Sequence, residues 1–266
     1  MNPQSARTLA LGQSYSLSAS DIDFVSNPAM IAELQTFHTT LSYAHQFEED
    51  AAFAISGAIP SRLGVFALSW FRYKIGGLTG FNSIGQPSGT FSFTSSIFSM
   101  GYSNQIIKDL YYGINTSFKT DKFLGEIFNY DPVISIASYY PFILSGDVIE
   151  YSKIGFLVRD IGPDSYMDYI LINENKFILG TQSLISNINV SYFDNGFGNS
   201  QPEFAVGLEY LFFMLKFRVG YNSQSESMSY GLGIQISFFQ LDYGYAGYTD
   251  SYFDSIHRVT IGASIN

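Results

Sequence analysis

Apolar residues alternate with small or polar residues along most of this 266-residue chain, and this alternation constrains the fold more than any other feature. In residues 231–238, Leu, Ile, Ile and Phe alternate with Gly, Gly, Gln and Ser. Residues 258–265 repeat the pattern, with Val, Ile, Ala and Ile against Arg, Thr, Gly and Ser. A period of two residues places each set on one face of a β-strand. The chain is therefore predicted to be all-β.

Turn-forming residues divide the alternating segments into about fourteen strands. The predicted strands start near residues 37, 51, 63, 91, 110, 133, 148, 167, 184, 203, 213, 229, 239 and 257. Residues 37–266 are 230 residues, and 230/14 gives about 16 residues per strand and turn, enough for a strand of roughly 9 to 11 residues and a short connection. This spacing is typical of an antiparallel up-and-down meander.

The character of the two strand faces indicates a membrane barrel. Charged residues make up only 14% of the chain, whereas soluble domains carry roughly a quarter. The face opposite the apolar one is mostly Gly, Ser, Thr, Asn and Gln, which suits a lumen, and closure leaves no sheet edge in lipid. We therefore predict an antiparallel transmembrane β-barrel of about 14 strands. The alternative is a large soluble β-sandwich with its apolar face inward.

Tyrosines near the strand ends are predicted to form interfacial girdles, because aromatic rings concentrate where the membrane meets water. The candidates are Tyr111, Tyr112, Tyr139, Tyr140, Tyr210, Tyr221, Tyr243 and Tyr245.

The first 36 residues lack the alternation and divide the chain into two parts: an N-terminal hatch or plug, residues 1–36, and the barrel, residues 37–266. Asp21 and Asp23 precede an Asn27-Pro28-Ala29 step, where the proline predicts a turn or the start of a helix. The polar groups of this segment match a polar lumen. A frayed extension outside the barrel is the alternative.

Isolated charges within the strands are expected on the inner face or the rims, since a charge facing lipid costs about 2 to 4 kcal/mol at midplane. The predicted lumen charges are Lys119, Glu209, Lys216, Arg218, Asp242 and Arg258. Lys153 and Arg159 also lie within predicted strands and are likewise expected to face the lumen or the rims. The pairs Glu209–Arg218 and Asp242–Arg258 lie in proposed hairpins, which predicts cross-strand ion pairs in the wall. Alternatively, some of these charges hold the hatch through Asp21, Asp23 or Asn27.

Composition and motifs exclude several functions. The chain has 13 Lys and Arg against 23 Asp and Glu, a net charge of −10 that disfavours nucleic acid as a partner. It has no cysteine, and three scattered histidines form no metal motif, so no metal or cofactor is expected. No nucleophile elbow, phosphate loop or dinucleotide fingerprint is present, and we predict that the protein is not an enzyme.

The first five residues lack the basic and apolar pattern of a signal peptide.

Several segments resemble a known family. Residues 6–12 (ARTLALG), residues 18–23 and the Asn27-Pro28-Ala29 step are similar to the opening of FadL-type outer-membrane barrels, particularly their PorV/PorQ branch. Residues 206–210 (VGLEY) and 216–221 (KFRVGY) resemble a hairpin of that branch.

The end of the chain adds a third match, since residues 241–245 (LDYGY) followed by 257–259 (HRV) resemble the closing hairpin of the branch. The resemblance implies a fourteen-stranded barrel in the outer membrane of a Gram-negative cell, in contact with its lipid, and an N-terminal hatch that includes Asn27, Pro28 and Ala29. It also implies passive passage of small, fatty-acid-like hydrophobic molecules. The alternative that it implies is a non-conducting barrel that docks type IX secretion or surface proteins.

Overall fold

The computed structural model describes residues 4–18, 23–46, 50–142, 148–163, 167–193, 202–248 and 255–265. Of the turn-forming clusters in the sequence, residues 145–147 and 194–196 lie outside these ranges, as do residues 48–49 of the cluster 48–50 and residues 249–251 of the cluster 248–251.

Two short helices precede a series of β-strands. The helices are α1 (Ala6–Ala10) and a 3-10 helix (Pro28–Glu33). The strands are β1 (Phe37–His45), β2 (Asp50–Ser61), β3 (Gly64–Phe81), β4 (Pro87–Ile107), β5 (Leu110–Phe123), β6 (Glu126–Asn129), β7 (Val133–Phe142), β8 (Ile149–Ile161), β9 (Asp168–Leu179), β10 (Gln182–Phe193), β11 (Pro202–Phe212), β12 (Leu215–Asn222), β13 (Ser227–Ile236), β14 (Phe239–Tyr248) and β15 (Ile256–Ile265). No helix in the described part of the chain is long and apolar enough to cross a membrane.

The strands form a closed antiparallel barrel of fourteen strands, which confirms the predicted fold class. Apart from β6, each strand pairs with the next one along the chain, and β1 closes the barrel on β15, with Phe37 opposite Ile265 and His45 opposite His257. The short strand β6 was not predicted. It pairs only with the end of β5, while β5 continues the barrel through β7. Each predicted strand start lies within four residues of the observed one.

Apolar side chains face outward around the barrel. In β13, Leu232 and Ile234 are 55% and 39% exposed, whereas the inward Ser229 is fully buried. In β15, Val259 and Ile261 are exposed, and Arg258 and Thr260 are buried. The soluble sandwich alternative is therefore wrong, because its apolar rows would be enclosed. The exposed rows suit the hydrocarbon of a bilayer.

The two ends of the barrel differ in the length of their connections. At one end, β2–β3, β4–β5, β9–β10, β11–β12 and β13–β14 are joined by two residues each, and the chain enters β1 and leaves β15 there. The exception at this end is the β7–β8 connection of six residues. At the other end at least four residues separate consecutive barrel strands, and the β3–β4 hairpin extends past its neighbours. Membrane barrels have short periplasmic turns and longer extracellular loops, so the loop lengths predict that the second end is extracellular, and we call it the extracellular end.

The predicted tyrosine girdles are correct only in part. Tyr140 and Tyr243 face outward and are 49% and 39% exposed. Tyr139 is instead buried inside the barrel, where its ring stacks on Tyr111 with 4.8 Å between ring centroids. Neighbouring residues of a strand point to opposite faces, so only one member of the Tyr139–Tyr140 pair can reach the lipid.

Candidate functional site

The N-terminal segment, residues 4–18 and 23–36, contacts inward-facing residues around the barrel. The α1 helix packs on β12 to β15, and the 3-10 helix packs on β3, β4, β5 and β7. All five residues of α1 are buried. The candidate functional site is therefore the lumen, where the side chains of the wall contact this segment.

Glycines on four adjacent strands let the backbone of the segment approach the wall. These four residues, which we call the glycine surface, are Gly207, Gly220, Gly231 and Gly244. They are neighbours in register, Gly207 opposite Gly220 and Gly231 opposite Gly244. A Cβ atom added at Gly207 would lie 2.8 Å from the Cβ of Leu11, and one at Gly220 would overlap the backbone of Leu11 and Gly12. The absence of side chains here therefore makes room for α1 and the turn after it.

Three further glycines do the same for the rest of the segment. A Cβ at Gly155 would lie 2.7 Å from Leu17 Cδ2, and one at Gly101 would lie 2.6 Å from Phe24 Cδ2. A Cβ at Gly113 would overlap the Pro28 carbonyl. The sequence does show glycine on the inner face of these strands, but the alternation alone identifies it only as a small residue.

A chain of four alternating charges, which we call the charge chain, joins α1 to the wall. Arg7 Nε lies 3.0 Å from Glu209 Oε2, Arg218 Nε lies 2.5 Å from the same oxygen, and Arg218 Nη1 lies 2.6 Å from Asp242 Oδ1. All four side chains are 2% exposed or less. Such buried charges need complete pairing, since desolvation is costly. The carboxylate of Glu209 therefore links Arg7 of the N-terminal segment to Arg218 of β12.

The charge chain confirms one predicted ion pair and corrects the other. Glu209 and Arg218 are register partners, as predicted. Asp242 pairs with Arg218 rather than with Arg258, because Asp242 lies opposite Thr260 in the hairpin. Arg258 donates instead to the Gln4 carbonyl of the N-terminal segment.

The other two predicted lumen charges lie in different environments. Lys216 is 5% exposed, and its Nζ donates to Gln240 Oε1 over 3.3 Å. Lys119 is not enclosed in the lumen. Its side chain is 45% exposed and pairs with Asp121 at 3.0 Å, on the part of β5 that extends beyond the start of β7. Because β7 starts at Val133, opposite Ser117, no residue of β7 pairs with Lys119, which therefore lies at the rim of the barrel.

Two further wall residues hold the middle of the segment. Glu174 of β9 accepts from the Leu17 backbone N–H at 3.0 Å and from Ser16 Oγ at 2.7 Å. Lys153 of β8 donates to the Leu17 carbonyl at 3.2 Å and to Glu33 Oε2 at 2.6 Å. Lys153 is one of the charges expected to face the lumen or the rims, and it is buried. Glu174 was not predicted, but the same signal could have identified it, a charge at an inward position of a predicted strand.

The predicted hatch residues organise the segment itself. Asp23 accepts from Thr8 Oγ1 at 2.8 Å and from the Ser5 N–H at 3.2 Å. These bonds link the start of α1 to the residues that precede the 3-10 helix. Asn27 accepts from the Ala29 N–H at 3.2 Å and so caps the 3-10 helix, with Pro28 at its first position. This agrees with the helix start predicted at Pro28. Asp21 lies outside the described residues.

Apolar clusters interrupt the polar lumen, and one of them lies along β7, β8 and β9. Leu17 and Ala29 of the N-terminal segment pack against β7, β8 and β9 in a cluster that we call the apolar seam. Its members are Leu17, Ala29, Ala137, Tyr139, Leu157, Ile170 and Ile172, flanked by Tyr15 and Tyr111. The inner face was predicted to be mostly small or polar, and the seam is an exception, since Leu157, Ile170 and Ile172 point inward and are fully buried.

Cavities lie above and below the N-terminal segment. The extracellular one measures about 270 Å³ and is lined by polar residues such as Arg159 and Asp168, but also by Tyr15 and Ile170 of the apolar seam. The one at the opposite end measures about 240 Å³ and is lined in part by Leu34 and Phe238. A gap between the segment and β1, β2 and β3 measures only about 20 Å³. The segment thus lies between the two larger cavities.

Comparison with solved structures identifies the class of fold. The Pseudomonas putida toluene transporter TodX has a TM-score of 0.60 at 10% identity, over 99% of this chain and 98% of TodX. The Ralstonia pickettii toluene transporter TbuX has a TM-score of 0.59 at 10% identity, over 98% of each chain. The monoaromatic hydrocarbon channel CymD has a TM-score of 0.59 at 10% identity, over 99% of this chain and 98% of CymD.

The chain therefore has the FadL-type barrel fold that its sequence resemblance implied. No protein-family model matches the sequence, and no curated protein matches it. The finer resemblance to the PorV/PorQ branch stays a prediction.

Proposed function

We propose that this protein is an outer-membrane barrel that lets small hydrophobic molecules pass by diffusion, with residues 1–36 as the hatch that closes its lumen. The observation that carries the proposal is the apolar seam. It is one of the sectors where the N-terminal segment meets the wall through apolar side chains, and it begins at the floor of the extracellular cavity, which is lined by Ile170 of the seam and by Tyr15 beside it.

Two other parts of the boundary between segment and wall suit a hydrophobic solute poorly. Around the charge chain a solute would have to displace buried ion pairs, and the glycine surface is in direct contact with backbone. In the seam a solute would replace only apolar contacts, which a hydrophobic molecule restores in part. Passage along the seam therefore needs a smaller rearrangement than passage at the charge chain or the glycine surface.

The fold supports the same proposal. The solved structures with this fold include toluene transporters and a monoaromatic hydrocarbon channel. Docking of secretion or surface proteins, the alternative predicted from the PorV/PorQ resemblance, rests on that resemblance alone. No contact among the residues that the structure describes favours it.

Shortening Leu17 is expected to raise passage through the seam. Leu17→Ala removes a fully enclosed side chain that touches β8 and β9, and leaves a cavity between hatch and wall. In proteoliposomes, uptake of toluene and of a medium-chain fatty acid should rise several-fold above that of the wild-type barrel.

Leu9→Ala is the matched control. Leu9 is 2% exposed in the same segment, but it packs on Ala246 and Ile256, away from the seam. Both substitutions remove the same atoms from a buried position. Equal uptake in the two variants would show that any loosening of the hatch suffices and would refute the seam as the route. Uptake that is unchanged even by deletion of residues 1–36 would refute a gated conduit.

A further inference from the structure

Three cations form a cluster on the outer surface of the barrel. Arg72 and Lys74 of β3 and Lys122 of β5 are exposed, and they border an open groove of about 560 Å³ together with Ser92 and Thr94. Thr94 is the register partner of both Lys74 and Lys122, so the two lysines lie in one row across three strands. Arg72 lies two residues nearer the barrel centre on the same face.

The carboxylates of the same strands do not neutralise this cluster. Asp50 of β2 and Asp121 of β5 point into the barrel and are 4% and 5% exposed. Glu126 of β6 lies on the opposite face from Ile127, the register partner of Lys122. In the described part of the chain, none of the three cations forms an ion pair. A cationic surface on a chain of net charge −10 is therefore a local feature.

A row of large apolar side chains fixes the height of the cluster relative to the membrane. Trp70, Phe98 and Phe118 are register neighbours on the outer face and are 38%, 42% and 40% exposed. Aromatic rows of this kind lie at the membrane interface. Arg72 and Lys74 follow Trp70 by two and four residues toward the extracellular end, which places them about 5 to 10 Å above that row for strands tilted by roughly 40°.

The cluster thus lies where the phosphate groups of the outer leaflet begin. Arginine offers a planar fork to phosphate oxygens, lysine offers a point charge, and hydroxyls such as those of Ser92 and Thr94 can add hydrogen bonds. We propose that this groove binds the phosphate groups of an anionic glycolipid in the extracellular leaflet. The inference rests on the outer-membrane location in the proposed function, but it does not depend on what passes through the lumen.

Binding of diphosphorylated lipid A to the full-length barrel in detergent, followed by native mass spectrometry, tests the proposal. We expect a retained lipid on the wild-type protein and an at least fivefold lower bound fraction in the double variant K74Q/K122Q. The matched control is R62Q/K108Q, which removes the same two charges from exposed turns at the opposite end of the barrel. It should bind lipid like the wild type.

Two further measurements test whether each variant folds and whether the phosphate charge is needed for binding. Heat-modifiable migration in gel electrophoresis shows that each variant forms the barrel, and lipid A with its phosphates removed tests the role of charge. Equal loss in both double variants, or equal binding of the dephosphorylated lipid, would overturn the proposal. Because no transport is measured, this result is independent of the uptake experiments on Leu17.

Discussion

Replacing Glu209 by glutamine should release the N-terminal segment and destabilise the barrel by about 3 to 5 kcal/mol, the usual cost of removing one partner of a buried ion pair. Glu209 accepts from Arg7 Nε at 3.0 Å, Arg7 Nη2 at 3.2 Å and Arg218 Nε at 2.5 Å. A carboxamide has one oxygen to accept these donors, and its own N–H2 group would face them. Two guanidinium groups would then share one remaining carboxylate, that of Asp242.

Trypsin gives a direct readout of this release. Arg7 is the one lysine or arginine among the first 36 residues, and its side chain is fully buried. Cleavage after Arg7 therefore requires the segment to leave the wall, and where opening is fast the cleavage rate follows the open population. A cost of about 3 kcal/mol predicts cleavage roughly a hundredfold faster than in the wild type.

Glu150→Gln is the matched control. Glu150 pairs with Lys176 at 2.8 Å, but its side chain is 41% exposed, and such surface pairs contribute about 0 to 1 kcal/mol. Its cleavage at Arg7 should equal that of the wild type. If Glu209→Gln behaves like Glu150→Gln, the charge chain does not hold the segment.

A compensating variant separates charge from packing. Arg7→Gln combined with Glu209→Gln leaves Arg218 and Asp242 as a neutral pair. If the unpaired charge is the cause of the destabilisation, the double variant should unfold at a higher denaturant concentration than Glu209→Gln alone. An additive loss of stability would contradict that cause. Trypsin has no site at position 7 in this variant, so the comparison uses denaturant titration.

The barrel could be predicted from sequence because its determinants are local. The alternation in residues 231–238 and 258–265 specifies both the strands and the face that meets lipid. The charge of Glu209 in a strand likewise places it inside, and its partner Arg218 follows from the hairpin register. These inferences need only the period of a strand and the cost of a charge in lipid.

The contacts of the N-terminal segment could not be predicted in this way, because they join residues that are distant in the chain. Arg7 meets Glu209 across 202 residues, and Ser16 meets Glu174 across 158. The error at Asp242 has a related cause. Asp242 and Arg258 lie in one hairpin, and the prediction paired them for that reason. In the structure the guanidinium of Arg218 in β12 instead reaches Asp242 in β14 across the intervening strand β13.

A single methyl group at Gly220 is expected to displace the N-terminal segment while the barrel stays closed. Gly220 lies within β12 and faces the lumen, where a Cβ atom would overlap the backbone N of Gly12 and the backbone carbonyl carbon of Leu11. Backbone atoms cannot move aside as the end of a flexible side chain can. The clash should therefore cost at least the 1 to 3 kcal/mol or so that is typical of overpacking, and it acts only when the segment is bound.

Thiol labelling measures this displacement. The chain has no cysteine, so Ser14→Cys introduces a unique thiol at a position that is fully buried against the glycine surface. In the Ser14→Cys background, Gly220→Ala should raise the rate of maleimide labelling about tenfold or more, and uptake of toluene into proteoliposomes should rise with it.

Gly262→Ala supplies the control on the same inner face. A Cβ at Gly262 would lie 3.5 Å from Thr40 Cγ2 and 3.7 Å from His38 Nε2, which are ordinary contacts outside the glycine surface. Its labelling rate should match that of Ser14→Cys alone. Faster labelling in Gly220→Ala without faster uptake would separate the two roles: the segment would pack on the glycine surface as the structure shows, but its position would not control passage, and the hatch would be a structural part of the wall.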